Sequence, residues 1–454
     1  GLNTMMPLYI RVEEYKRPKF SVAFTPVKES FRLNDTVKVT GNAKAFAGNN
    51  IDNAKVSYQV YRQARLLYPW LYWGRSIWPP ARSERMQITA GQSTTNAAGD
   101  FEIAFAAIPD LGIDPTLQPA FDYFIEAQVT DQNGESHSSS TTVSVGYQSV
   151  FIEADIVNGL LQSADSIIHV KAAVKNLQQQ PQETLVKWQI SALKTPERLM
   201  RKRYWQVPDT TVMSRQEFVL NFPYDPYLNE DDFQQWEKRE GVLDGSIDTK
   251  TAQQFEIAKR KLAAGYYLLE MTTTDKDGKE VTSKQHFAVY DLTNDKTPAP
   301  HFLFERSLQA QVQPGDAATF LMGSNAANLH ILQQVARPDK NGNEAAAGFE
   351  WLSQNKALQT ASFAVSENDR GGYTVRRFFV SQNRFYNITW QVQVPWSNKQ
   401  LDIQFETFRN KLLPGQQETW KVKVKGAKGE KIAAEMLASM YDASLDQIYP
   451  HNWM

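Results

Sequence analysis

Apolar and polar residues alternate through much of the chain. The clearest runs are Thr36-Val37-Lys38-Val39-Thr40 and Lys421-Val422-Lys423-Val424-Lys425. A period of two puts one face of a strand on a core and the other in water. Turn residues interrupt these runs at short intervals, the rhythm of a β-sandwich or barrel. An internal repeat sharpens the picture. Residues 123–135 read Tyr-Phe-Ile-Glu-Ala-Gln-Val-Thr-Asp-Gln-Asn-Gly-Glu, and residues 267–279 read Tyr-Leu-Leu-Glu-Met-Thr-Thr-Thr-Asp-Lys-Asp-Gly-Lys. Tyr, Glu, Asp and Gly fall at the same offsets. Each copy predicts a strand, a tight turn and a returning strand, over 141–145 and 286–290. Gly134 and Gly278 supply the positive φ such turns need. A looser third copy runs from Tyr373 through Ser381-Gln382-Asn383 to Val394, with Arg384 in place of Gly.

Domain openings repeat as well. A turn leads into an alternating strand at Leu33-Asn34-Asp35-Thr36, Ser163-Ala164-Asp165-Ser166, Gln313-Pro314-Gly315-Asp316 and Leu413-Pro414-Gly415-Gln416. Four β units in series are expected, divided near 13, 149, 297 and 398. The stretch 293–300, with two prolines, reads as a linker. The last unit, 398–454, is short for a complete sandwich, and residues 8–12 read as the final strand of a domain upstream. Two insertions break the rhythm. Residues 66–85 hold Tyr68-Pro69-Trp70-Leu71-Tyr72-Trp73-Gly74 and Trp78-Pro79-Pro80. Residues 196–263 form a polar, partly helical excursion. Within it, Ala252, Phe255, Ala258 and Leu262 have helical spacing and predict a helix over 248–262, capped near Gly265.

Composition narrows the function classes. The length of 454 residues allows three to four domains at roughly 100–150 residues each. The 49 Lys and Arg against 50 Asp and Glu leave a net charge of −1, which argues against a nucleic-acid binder. Aromatic residues make up 12% of the chain, which favours strands. The absence of cysteine excludes disulfides, thiolate metal sites and a Cys nucleophile, and leaves the compartment undecided. No segment approaches the ~18 apolar residues of a membrane-spanning helix. The start at Gly1-Leu2-Asn3 carries no signal peptide, and the chain reads as a piece of something longer.

Catalytic constellations are scarce. There is no His-Glu-x-x-His, phosphate-binding loop, Gly-x-Ser-x-Gly elbow or dinucleotide-binding glycine pattern. No catalytic, cofactor-binding or metal-ligating residue is expected. The six histidines are scattered, with His169 and His286 inside strand patterns. Glu230-Asp231-Asp232 is the densest acidic cluster. It fits the first turn of a helix, where the dipole favours negative charge, against calcium binding or paired-carboxylate catalysis. Asp275-Lys276-Asp277-Gly278 looks like a calcium loop but lacks the later Glu, and the repeat explains it as a hairpin turn. Trp70, Tyr72, Trp73 and Trp78 are the candidate partner contacts. Exposed, they would stack on a sugar or anchor in a partner's pocket; folded back, they would serve packing alone.

At Val12-Glu13-Glu14-Tyr15-Lys16-Arg17-Pro18-Lys19-Phe20-Ser21-Val22 the sequence resembles the alpha-2-macroglobulin family, which carries such a motif where one macroglobulin-like domain hands over to the next. Pro18 cannot donate a ladder hydrogen bond and suits a crossing or edge position. The segments 38–44 and 54–60 resemble the family's following domain. At the other end, residues 433–446, Ala-Ala-Glu-Met-Leu-Ala-Ser-Met-Tyr-Asp-Ala-Ser-Leu-Asp, are similar to the strand that precedes the family's bait region. That form looks like the bacterial branch, particularly of the Bacteroidetes type, and residues 363–373 also resemble the bacterial proteins. The family's Cys-x-Glu-Gln thioester motif is absent from this chain.

The resemblance implies an all-β chain of tandem fibronectin-III-like or macroglobulin-like β-sandwiches. Its divisions are 1–12, 13–148, 149–296, 297–397 and an incomplete 398–454, with the partly helical insertion in the second sandwich. It implies a non-enzymatic scaffold within an endopeptidase inhibitor that traps proteases. No cofactor is implied. Its partners would be proteases, held by the whole parent protein, and neighbouring domains of the same chain. The location implied is the periplasm or cell envelope, with a lipid anchor in a segment outside this chain. The competing expectation is a cell-surface binding or adhesion module that recognises a glycan or protein through the aromatic insertion.

Overall fold

A computed structural model of the chain describes residues 19–66, 83–115, 118–276, 278–339, 348–354, 358–407 and 415–426, with 409, 413 and 435–437. The candidate contacts Trp70, Tyr72, Trp73 and Trp78 lie outside these residues. So do the expected strand 8–12, residues 12–18 of the junction motif and most of 433–446. The described residues up to Glu197, with Tyr227–Ala299, form one compact unit; Arg198–Pro226 and those from Pro300 onward form a second.

The first unit opens with a sandwich. Its strands are β1 (Phe20–Phe24), β2 (Thr36–Ala45), β3 (Lys55–Leu66), β4 (Met86–Thr94), β5 (Asp100–Ala106), β6 (Pro119–Thr130) and β7 (Ser136–Gly146). One sheet runs β1-β2-β5 and the other β4-β3-β6-β7. The predicted alternation decides what is buried. Val37, Val39 and Ala43 of β2 meet Val56, Val60, Tyr123, Ile125 and Val143 of the facing sheet in one core. Packing is tight enough to demand glycine at Gly41, where a Cβ would fall 2.2 Å from the Phe101 ring. Tyr123 is wholly buried and its hydroxyl donates to the Ile108 carbonyl at 2.7 Å. Burial pushes that phenol well above its ordinary pKa.

A second sandwich follows after three residues. Its strands are β8 (Val150–Ile156), β9 (Leu161–Ser163), β10 (Ile168–Asn176), β11 (Leu185–Leu193), β12 (Lys238–Asp248), β13 (Gln254–Ile257), β14 (Gly265–Thr274) and β15 (Glu280–Tyr290). They form sheets β13-β10-β8 and β12-β11-β14-β15-β9 around a core that includes Ile152, Val170, Ile190, Leu269, Met271 and Phe287. The helix expected over 248–262 is not formed. Lys238–Asp248 pairs with β11 and Gln254–Ile257 pairs with β10, so this part of 196–263 is sandwich rather than excursion. Phe255 stacks on Trp188 at 4.4 Å, and cross-strand packing overrides a weak helical spacing. The helical part lies earlier, at α1 (Arg215–Asn221), capped by the Ser214 side chain.

The third sandwich, in the second unit, holds β16 (Phe304–Gln309), β17 (Ala317–Gly323), β18 (Leu329–Ala336), β19 (Phe349–Gln354), β20 (Leu358–Ala364), β21 (Tyr373–Ser381) and β22 (Arg384–Val392). Sheets β16-β17-β20 and β19-β18-β21-β22 enclose Phe320, Ile331, Val375, Ile388 and Trp390. Arg377 occupies an inward position of β21 beside Met322 and over Trp390, and burial draws its pKa down to about 10. A two-stranded sheet of β23 (Leu401–Thr407) and β24 (Lys421–Gly426) follows, and every residue of β23 is exposed. Residues 198–226 lie in this same unit. Arg201 holds Asp225 through two hydrogen bonds, at 3.0 and 2.7 Å, and its third nitrogen donates to the Gln382 carbonyl at 3.0 Å. Tyr224 meets Phe302 edge-on, and Arg384 lies 4.2 Å above the Tyr204 ring.

All three repeat copies are hairpins. Gly134 and Gly278 have φ of 83° and 78°. In the third, Gln382 and Asn383 take φ of 48° and 58°, a two-residue turn made without glycine.

Candidate functional site at the joint of the first two sandwiches

The connection between β7 and β8 is only Tyr147-Gln148-Ser149. Two loops at one end of the second sandwich reach back over it. The first is the repeat's own turn, between β14 and β15. The Asp275 carboxylate accepts from the Lys279 amide at 2.9 Å, which closes the turn. Its other oxygen accepts from the Ser149 hydroxyl at 3.1 Å and pairs with the Arg32 guanidinium of the first sandwich. The Asp275 side chain is wholly buried and that of Arg32 is 26% exposed. Flanking this pair, Lys276 donates to the Ser30 carbonyl at 3.0 Å and Lys279 to the Tyr147 carbonyl at 3.1 Å.

The second loop joins β10 to β11. Asn176, fully buried, donates to the Lys28 carbonyl at 2.8 Å while its own oxygen accepts from the Gln178 and Gln180 amides. Gln178 exchanges two hydrogen bonds with the backbone of Ser144, at 3.0 and 2.7 Å. Leu177 packs so near Gly146 that a Cβ there would lie 3.0 Å from its methyl group. Domains on a short linker move by default unless the interface is well made. Here the interface holds a buried charge pair and buried hydrogen bonds, whose loss costs more than their formation yields. Parting the two sandwiches here would expose that charge pair and those hydrogen bonds.

The other sequence candidates take ordinary places. Glu230 accepts from the Tyr227 amide at 3.0 Å and Asp232 caps the short turn Phe233–Gln235. The expected helix start is thus a single 3-10 turn. His169 of β10 contacts Gln254 and Glu256, and His286 of β15 lies edge-on to Phe233, its pKa lowered by burial. Among the described residues no group of three or more His, Asp or Glu is placed to hold a metal, and no helix is long and apolar enough to cross a membrane. The residues sequence reasoning missed are Arg32, Ser149, Asn176 and Gln178. Asp275 was visible as the repeat's conserved offset, but nothing in the sequence joined it to Arg32.

No family model matches the chain, and no curated protein matches it. Among solved structures, E. coli alpha-2-macroglobulin in its native conformation is similar over 92% of this chain and 26% of its own, at 12% identity and a TM-score of 0.33. Salmonella alpha-2-macroglobulin reacted with methylamine matches 91% of this chain and 25% of its own, at 12% identity and a TM-score of 0.34. A tetra-tandem repeat from the extending region of a large adhesion protein matches 83% and 74%, at 10% identity and a TM-score of 0.18. The chain spans about a quarter of the two alpha-2-macroglobulins. Likenesses at these scores decide nothing about what this chain does.

Proposed function

We propose that the chain is a structural scaffold within a bacterial alpha-2-macroglobulin-like protease trap of the cell envelope. The observation that carries the reading is the joint. Serial sandwiches locked through Arg32 and Asp275 suit a part that holds moving elements in place and transmits a rearrangement. The junction motif at 12–22 and the 433–446 segment give the reading its family. In it, the chain divides near 13, 149, 297 and 398, performs no catalysis of its own, and meets proteases only as part of the parent. The parent resides in the periplasm or on the envelope, tethered by a lipid anchor encoded elsewhere.

The test uses the full-length parent. It is mixed with several unrelated endopeptidases, the earliest cut is mapped and hydrodynamic size is followed. A single early cut beyond residue 454 with compaction supports the proposal. Scattered slow cuts with unchanged size contradict it and turn attention to an adhesive role.

A further inference from the structure

Residues 198–226 leave the second sandwich after β11 and return to it before β12. Their two ends are pinned together. Arg201 grips Asp225 with two hydrogen bonds, and the Arg201 amide donates to the Tyr224 carbonyl at 2.7 Å. Asp225 is only 6% exposed. Between these pins the chain behaves differently. Every residue from Tyr204 to Val212 is exposed, and none of them belongs to a strand or helix. The helix that follows, α1, buries no residue. Two large aromatics stand at the head of this stretch, Tyr204 at 72% and Trp205 at 54% exposure.

Endopeptidases bind substrate as an extended strand of several residues whose backbone is free to pair with the enzyme. Exposed, irregular loops satisfy that need without unfolding a core. We propose that residues 204–212 are a proteolytic processing site, cut at the Trp205–Gln206 bond by an endopeptidase selective for large aromatic side chains. Water adds to the Trp205 carbonyl carbon and the C–N bond breaks, leaving a carboxylate on Trp205 and an amine on Gln206. Two neighbours are less available than Trp205. Arg203 is half-buried and donates to the Pro226 carbonyl at 2.9 Å, which withholds it from an arginine-selective pocket. Tyr204 is stacked under Arg384, whereas among the described residues no ring or cation covers Trp205. This site is separate from any bait segment beyond residue 454 and stands whether or not the parent is a trap.

The cut is silent for assembly. The two fragments remain joined across β11, which is hydrogen-bonded to β12 and β14 of the other fragment along Leu185–Leu193. Arg201 and Asp225, on opposite sides of the cut, add their own pair.

The experiment treats the whole 454-residue chain with chymotrypsin at a low ratio, then reads intact mass, new N-termini and size-exclusion elution. A fragment beginning at Gln206 is expected, with the pair eluting at the position of the uncut chain and separating only in denaturant. Trp205→Ala should cut the yield of that fragment at least tenfold. Gln206→Pro, which keeps the aromatic and blocks hydrolysis of the preceding bond, should do the same. Absence of any new N-terminus at Gln206 while other bonds are cleaved would overturn the proposal. So would an undiminished yield from both variants, or fragments that separate without denaturant.

Discussion

Removing Arg32 tests the joint most sharply. Arg32→Ala deletes the charge that faces a wholly buried carboxylate. Breaking one side of a buried ion pair costs about 3–5 kcal/mol, because the remaining charge stays desolvated. Asp275 keeps the Ser149 hydroxyl at 3.1 Å and the Lys279 amide at 2.9 Å, so the lower end, about 3 kcal/mol, is expected. For a cooperative unit of this size that is a fall of roughly 6–12 °C in Tm. Urea melts of the whole chain, with amide exchange read over 275–279 and 28–32, give the loss and its location. The double variant Arg32→Ala/Asp275→Ala should lose about 2 kcal/mol less than the two single losses combined, since it leaves no orphaned charge. Added salt should change little, because the pair is sheltered from screening. A loss below about 0.5 kcal/mol for Arg32→Ala, or strict additivity, would refute the reasoning.

Three further outcomes follow from the second unit. Gly372 has φ of 97° and a Cβ there would sit 2.3 Å from the Val392 carbonyl oxygen, so Gly372→Ala should lower stability by about 2 kcal/mol or more; an unchanged thermal melt would contradict this. Arg377→Met keeps the volume but strips the buried Gln333 side-chain oxygen of its donor at 2.8 Å, so it should cost about 1–3 kcal/mol in urea melts, and Arg377→Ala, which also leaves a cavity, should cost more; a Met variant as stable as the parent would contradict this. Burial lowers the His301 pKa to about 4 against 6.5 when unfolded. The unfolded chain therefore takes up this proton first, and stability falls as pH drops from 6.5 toward 4, by about 3 kcal/mol at its limit. His301→Gln should flatten that part of a pH-stability curve, and an unchanged slope would show that another group is responsible.

The all-β character was legible because alternation such as Thr36–Thr40 maps directly onto buried and exposed faces of one strand. The repeat was legible because a tight hairpin needs positive φ at one fixed place, and Gly134 and Gly278 mark it. The helix over 248–262 failed for the opposite reason. Ala252, Phe255, Ala258 and Leu262 satisfy a weak helical period, but Phe255 has a better partner in Trp188 than any local helix offers. The joint was hidden because Arg32 and Asp275 are 243 residues apart. Only the folded sandwiches bring them together, and each alone reads as an ordinary loop charge. Asn176 and Gln178 were hidden in a polar glutamine run that reads as a solvated turn.

The scaffold reading is tested most directly by substrate size. The parent protein is saturated with an endopeptidase, and activity is measured on a short peptide and on a large protein in the same sample. Retained peptide cleavage with protein cleavage suppressed at least tenfold is the predicted result. Equal activity on both substrates, or equal loss of both, would contradict a trap built on these sandwiches.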